Sequence, residues 1–191
     1  MKRADLAKLL REASRITRQR DFLVIGSAAI LGSFDDVLLP ERATLSAEAD
    51  VVVRGDSIGD LTDQLEESGW GSPFHQTNGV YLDPVGTETA VLPPGWENRL
   101  VPFAAGGGTT GYCLDAYDLC SAKLARYDAK DREFVLALVH AGLIDLRSLR
   151  GRFTSVRDAR LTPEKRRLID QELRRFVSSA PATGGASGVI C

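Results

Sequence analysis

The stretch Phe22-Leu23-Val24-Ile25-Gly26-Ser27-Ala28-Ala29-Ile30, followed by Glu48-Ala49-Asp50-Val51-Val52-Val53, decides how this chain is read. The first segment is an apolar strand that breaks at Gly26-Ser27 and runs directly into a helical Ala-Ala-Ile-Leu sequence. The second places two carboxylates at i and i+2 at the head of a β-branched strand. Side chains alternate along a strand, so Glu48 and Asp50 share one face while Ala49, Val51 and Val53 take the other. Same-face acids lie roughly 7 Å apart, and at an effective dielectric of about 20 their repulsion is about 2 kcal/mol. A divalent cation between them reverses the sign. Hard oxygen donors of this kind suit Mg²⁺, which is commonly held by one or two carboxylates plus substrate phosphates. A Gly-Ser turn at a helix N-terminus presents backbone N–H groups to those phosphates.

That pairing resembles the signature of the nucleotidyltransferase superfamily: an apolar strand, Gly-Ser or Gly-Gly, then Asp/Glu-x-Asp/Glu on the next strand. More closely, the chain is similar to the AbiEii-type branch, which includes small bacterial proteins of toxin–antitoxin and phage-defence loci. The likeness covers residues 22–138. It extends to Asp118-Leu119-Cys120-Ser121-Ala122-Lys123-Leu124-Ala125-Arg126 and Lys130-Asp131-Arg132-Glu133-Phe134. These resemble that branch's helical pattern, in which a Lys precedes an Ala-Arg turn and a basic residue followed by Asp. Glu48 stands where Asp is commoner in the superfamily.

The resemblance implies roles. Glu48 and Asp50 would bind Mg²⁺ or Mn²⁺, Gly26 and Ser27 would hold the terminal phosphates of an NTP, and Lys123 would offset phosphate charge. Asp131 either orients Lys123 or a basic neighbour, or acts as a helix N-terminal acid. A third carboxylate is expected from a neighbouring strand. Asp83, closing Gly79-Val80-Tyr81-Leu82-Asp83, is the leading candidate for metal and Glu88 its rival. The implied activity is Mg²⁺-dependent transfer of a nucleotidyl group from an NTP to a hydroxyl on RNA, tRNA included, or on protein. A cognate toxin or antitoxin is the implied partner. The alternative is a catalytically weak nucleotidyltransferase-like antitoxin or nucleotide-binding partner protein.

A chain of 191 residues fits one domain, or a domain with a helical extension. A formal net charge of −2 gives no general attraction to nucleic acid, so any RNA contact needs a local basic patch. Lys2, Arg3, Lys8, Arg11, Arg15, Arg18 and Arg20 form one candidate, and Lys165, Arg166, Arg167, Arg174 and Arg175 another. Their alternation with acids reads as solvated helix faces. Cys113, Cys120 and Cys191 lack metal-ligand spacing and read as reduced thiols. With no secretory h-region and no apolar run of membrane-spanning length, a cytoplasmic protein is expected, without membrane contact.

The expected architecture is α+β: a small mixed sheet with flanking helices, then a C-terminal helical region. The expected units are a nucleotidyltransferase-like core over 1–111, helices over 112–178 and a disordered tail over 179–191. An amphipathic helix is expected over 3–20, the first strand over 22–25 and a helix from Ala28. Asp56 or Ser57 should cap a helix running to Glu67, packing Ile58, Leu61 and Leu65, with Gly69 ending it. Asn78-Gly79 reads as a two-residue hairpin between strands at 74–77 and 80–82. His75, a lone histidine, is expected to be a strand residue with a backbone partner. Trp70, Phe74, Tyr81 and Trp96 are expected to pack the sheet. A further strand is expected over 99–103. Gly106-Gly107-Gly108 lacks the Gly-Lys-Ser/Thr of a phosphate loop and reads as a hinge. Helices follow over 116–127 and 130–140, and a last one begins at Thr162-Pro163-Glu164.

Overall fold

The computed structural model describes residues 1–56 and 59–179. Strands β1 (Asp21–Val24), β2 (Glu48–Val53), β3 (Tyr81–Pro84), β4 (Val101–Gly106) and β5 (Thr109–Cys113) form one mixed sheet in the order β3-β2-β1-β5-β4. β1 is antiparallel to β2 and parallel to β5, β2 is parallel to β3, and β4 is antiparallel to β5. The architecture is the expected α+β arrangement of a mixed sheet with flanking helices.

One sheet face is the core. Phe22, Val24, Ala49, Val51, Val53 and Phe103 are buried there, covered by α1 (Arg3–Thr17), whose Leu6, Leu9, Leu10 and Ala13 are also buried. Each of these large side chains contributes roughly 1.5–3 kcal/mol of burial. β2 alternates as its sequence demands, with Glu48, Asp50 and Val52 on the opposite, less covered face. α1 stops at Thr17, earlier than expected, because Arg18 adopts a left-handed conformation.

Asn78-Gly79 closes a helix and not a hairpin. Ser72 accepts a hydrogen bond from the His75 N–H at 3.1 Å, and Pro73 opens α4 (Pro73–Asn78). Gly79, at φ 70°, ends the helix by donating to the His75 carbonyl at 2.8 Å. The Ser-Pro start thus outranks the Asn-Gly turn signal, and β3 pairs in parallel with β2 through this crossover.

The helix expected to end at Glu67 is shorter: α3 (Asp60–Gln64) passes into a 3₁₀ turn over Leu65–Ser68. Asp56 accepts from the N–H groups of Gly59 and Thr62, while Gly69 closes the turn. Ser57 and Ile58 lie outside the described residues. Gly106-Gly107-Gly108 is also corrected. All three have positive φ and form the turn of the β4–β5 hairpin, with no hinge between sheet and helices. The boundary expected at residue 111 falls inside β5.

The C-terminal region contains α5 (Ala116–Arg126), α6 (Ala129–His140), α7 (Leu146–Thr154) and α8 (Pro163–Ser179). α7 was not foreseen. Asp145 caps it by accepting from the Ser148 N–H at 2.8 Å. Asp118 of α5 is wholly buried, paired with Arg99 just before β4 (2.8 and 3.0 Å) and Arg152 of α7 (2.5 Å). This three-way ion pair pins the helical region to the sheet. Cys113 and Cys120 are free and buried, and burial pushes both thiols up to about 12. The tail expected from residue 179 begins at least one residue later, because Ser179 closes α8; residues 180–191, with Cys191, lie outside the described residues. No described helix is long and apolar enough to cross a membrane.

Candidate active site

The site begins with register. Parallel pairing of β2 and β3 sets Glu48 beside Tyr81 and Asp50 beside Asp83. Neighbouring strands lie about 4.8 Å apart, so the two aspartates stand side by side on the face opposite α1, with Glu48 two residues along. Asp83 is therefore the third acid that the fold brings to the pair. Glu88 is exposed on the 3₁₀ turn Thr87–Thr89 and does not line the cleft.

The acids disturb one another. Burial, then the charges of Asp83 and Glu48, push the Asp50 carboxyl from its ordinary 3.8 up to about 6, against an opposing pull from Lys123. Burial and Glu48 raise Asp83 as well. Glu48 accepts hydrogen bonds from the Tyr81 hydroxyl at 2.7 Å and the Ser46 hydroxyl at 3.1 Å. Among the described residues no three His, Cys, Asp or Glu side chains form a ready-made metal-binding group. The donor set of Glu48, Asp50 and Asp83 nevertheless suits Mg²⁺, which takes few protein ligands and completes its shell with phosphate oxygens and water.

Gly26 has a steric task. A Cβ added there would stand 1.5 Å from Oδ2 of Asp50. Its backbone, at φ −84° and ψ −160°, suits any residue, so clearance for the carboxylate is what requires glycine. The Ile25 N–H donates to the Asp50 carbonyl at 3.1 Å, holding β2 against the exit of β1.

Ser27 opens the 3₁₀ turn Ser27–Ala29, which runs into the short helix α2 (Ile30–Ser33). Its side chain caps neither. Its Oγ instead accepts from Nζ of Lys123 at 2.9 Å.

Lys123 lies on α5 and is only 7% exposed. Its ammonium also donates to Asp131 at 3.0 Å and sits 4.5 Å from the centre of the Phe134 ring. Arg126 binds the same carboxylate at 2.5 and 2.8 Å. Burial pushes Asp131 up, but the bonds and charges of Arg126 and Lys123 outweigh it and hold the carboxyl below its ordinary value. Asp131 thus orients Lys123 and Arg126 together, and Lys123 is anchored as firmly as it is aimed.

These groups line a cleft of about 960 Å³ between the acidic sheet face and the helical region. Its walls also carry residues that sequence reading missed or misplaced. Arg42, Lys130, Arg160 and Lys165 add positive charge. Trp70, expected in the packed sheet, is 75% exposed at the cleft wall beside Tyr81. His75 sits on α4 and not on a strand, with its Nδ1 accepting from the Gly71 N–H at 3.0 Å. Tyr81 was legible in principle: it lies two residues before Asp83 and so shares its face.

An acid pair on the second strand, a third acid in register and a Gly-Ser turn packed directly against the pair are the arrangement that the resemblance to nucleotidyltransferases implies. The chain belongs to the family described as "Nucleotidyltransferase of unknown function (DUF6036)", whose model matches residues 4–178. No curated protein and no solved structure matches it.

Proposed function

We propose that the protein transfers a nucleotidyl group from an NTP to a hydroxyl on RNA or protein in a Mg²⁺-dependent reaction. The observation that carries this reading is the in-register Asp50–Asp83 pair, joined by Glu48 and lining one cleft with the Ser27–Lys123 bond. Glu48, Asp50 and Asp83 would hold the metal, which when bound supplies charge stabilisation to the phosphoryl oxygens. The acceptor oxygen forms a bond to the α-phosphorus, the bond to the β-phosphate oxygen breaks, and pyrophosphate leaves. The acceptor's proton would pass to the Asp50 carboxylate, which the β2–β3 register sets beside Asp83 in the cleft. Lys123 and Ser27 orient the triphosphate, with Asp131 fixing the ammonium.

A role in a toxin–antitoxin or phage-defence pair, in the cytoplasm, is part of the proposal. It is supported by the AbiEii-like spacing of Lys123 and Asp131, which meet in an ion pair. One observation favours a second reading, a catalytically weak relative acting as an antitoxin or nucleotide-binding partner. The Lys123 ammonium is already engaged by Ser27, Asp131 and Phe134. Incubation with labelled NTPs, Mg²⁺ and total cellular RNA or protein separates the two. Labelled acceptor that disappears in Asp50→Asn supports transfer, whereas NTP binding without any labelled acceptor supports the second reading.

A further inference from the structure

A single exposed aromatic ring is ordinary, but one stacked on other rings at the wall of a cleft presents a flat π face to whatever enters it. Trp70 fits that description. Its ring centroid lies 4.5 Å from His75 at a 37° tilt and 5.2 Å from Tyr81 edge-on, and His75 and Tyr81 meet at 4.9 Å. Polar partners secure the two supporting rings: the Gly71 N–H holds His75, and Glu48 holds the Tyr81 hydroxyl. The indole is thus backed on one side and open on the other, with its ordering cost already met within the fold.

We infer that the open face of Trp70 is a stacking platform for a nucleobase, and that it sets which end of a nucleotide lies at each end of the cleft. The inference rests on the nucleotide-handling reading of this cleft and deepens it. The known partners decide the orientation. The Ser27–Lys123 pair and the metal-holding acids take the triphosphate, so the aromatic group, joined to Glu48 only through the Tyr81 hydroxyl, is left for an uncharged base with a π face. Lys130 also lines the cleft, with no hydrogen bond or ion pair of its own among the described residues, and suits the phosphate end. The base belongs either to the NTP or to the terminal residue of a nucleic-acid acceptor. Stacking is tolerant of base identity, so the platform favours bases over no base and discriminates weakly among the four.

Calorimetry on the full chain tests this with three probes in Mg²⁺: α,β-methylene NTPs, RNA hexanucleotides and inorganic tripolyphosphate. Trp70→Ala, at an exposed position, should weaken base-bearing ligands about tenfold to a hundredfold, leaving tripolyphosphate within twofold. Trp70→Phe should recover most of the loss. If only the NTP analogues respond, the base is the donor's; if only the hexanucleotides respond, it is the acceptor's. Unchanged affinity of both in Trp70→Ala would overturn the platform, as would failure of every base-bearing probe to bind the wild type. The first result leaves the transfer reading intact, because acceptor labelling is scored separately. Conversely, Trp70-dependent binding without any labelled acceptor would keep the platform and remove the transferase.

Discussion

Nζ of Lys123 donates to Oγ of Ser27 at 2.9 Å across 96 residues of chain, tying the helical region to the first turn after β1. Ser27→Ala removes an acceptor from a charged donor, a change worth about 1.5–3 kcal/mol. The expected result is a modest loss of stability in urea with the fold retained, and a larger fractional loss of nucleotide affinity. A variant that loses stability but binds nucleotide normally would reduce Ser27 to a structural anchor.

Lys123→Met leaves Asp131 buried with Arg126 alone. Breaking a buried pair costs about 3–5 kcal/mol, and the surviving Arg126 fork should keep the loss near the lower end. Denaturant titration reads this directly. In the transferase reading, turnover measured on the folded fraction should also fall by orders of magnitude.

Gly26→Ala should act through Asp50. Overpacking of this kind costs about 1–3 kcal/mol, and the backbone at Gly26 adds nothing because its torsions suit alanine. Adding Asp50→Ala should restore part of the stability, because the carboxylate is gone but the Asp50 Cβ still stands 2.8 Å from the added methyl, while leaving nucleotide binding lost. If Gly26→Ala is equally harmful with and without the Asp50 side chain, the clash lies elsewhere.

Asp50 predicts a pH dependence of stability. An acid raised in the folded state is penalised when ionised. The penalty is absent below the ordinary 3.8, grows as pH rises towards about 6 and is complete above it. At full size it is about 3 kcal/mol. Asp50→Asn should therefore raise the Tm at pH 8 and lose that advantage as pH falls through 6 to 4. Added Mg²⁺ should stabilise the wild type at pH 8 and leave Asp50→Asn unmoved; equal responses would exclude Asp50 as a ligand.

Asp118→Ala leaves Arg99 with the Pro94 carbonyl and Arg152 with Asp115, both guanidiniums being partly exposed. Its expected cost is therefore at or below the lower end of the about 3–5 kcal/mol for breaking a buried pair, read by thermal melting. Nucleotide affinity of the folded fraction should be unchanged, because Asp118 does not line the cleft.

The local signals that survived into the fold are those with a single physical reading. Alternation fixed the acid face of β2, because only one set of side chains there could be buried. The Thr162-Pro163-Glu164 start was equally clear. Asn78-Gly79 misled because glycine at positive φ serves a helix end as well as a hairpin, and only the Ser72–His75 cap distinguishes them. The role of Gly26 was hidden in another strand: nothing local says that an Asp50 oxygen will occupy the space of its missing side chain. Trp70 was misread because hydrophobicity predicts burial on average and cannot identify the ring that stays outside. The spacing of Leu146, Leu149 and Phe153 could have revealed α7, but Gly151 and the surrounding arginines obscured it.

The position of β5 has a consequence for how the chain is made. β5 is the last strand to leave the ribosome, yet it pairs directly with the first. Until residue 109 has been made, one edge of β1 stays unpaired beside Phe22, Leu23 and Val24, a template for pairing with other chains. The Gly-triplet turn then delivers β5 with β4 already beside it, so both strands can dock as a unit. An amino-terminal fragment ending before residue 109 should accordingly aggregate, although it carries all three acids of the site.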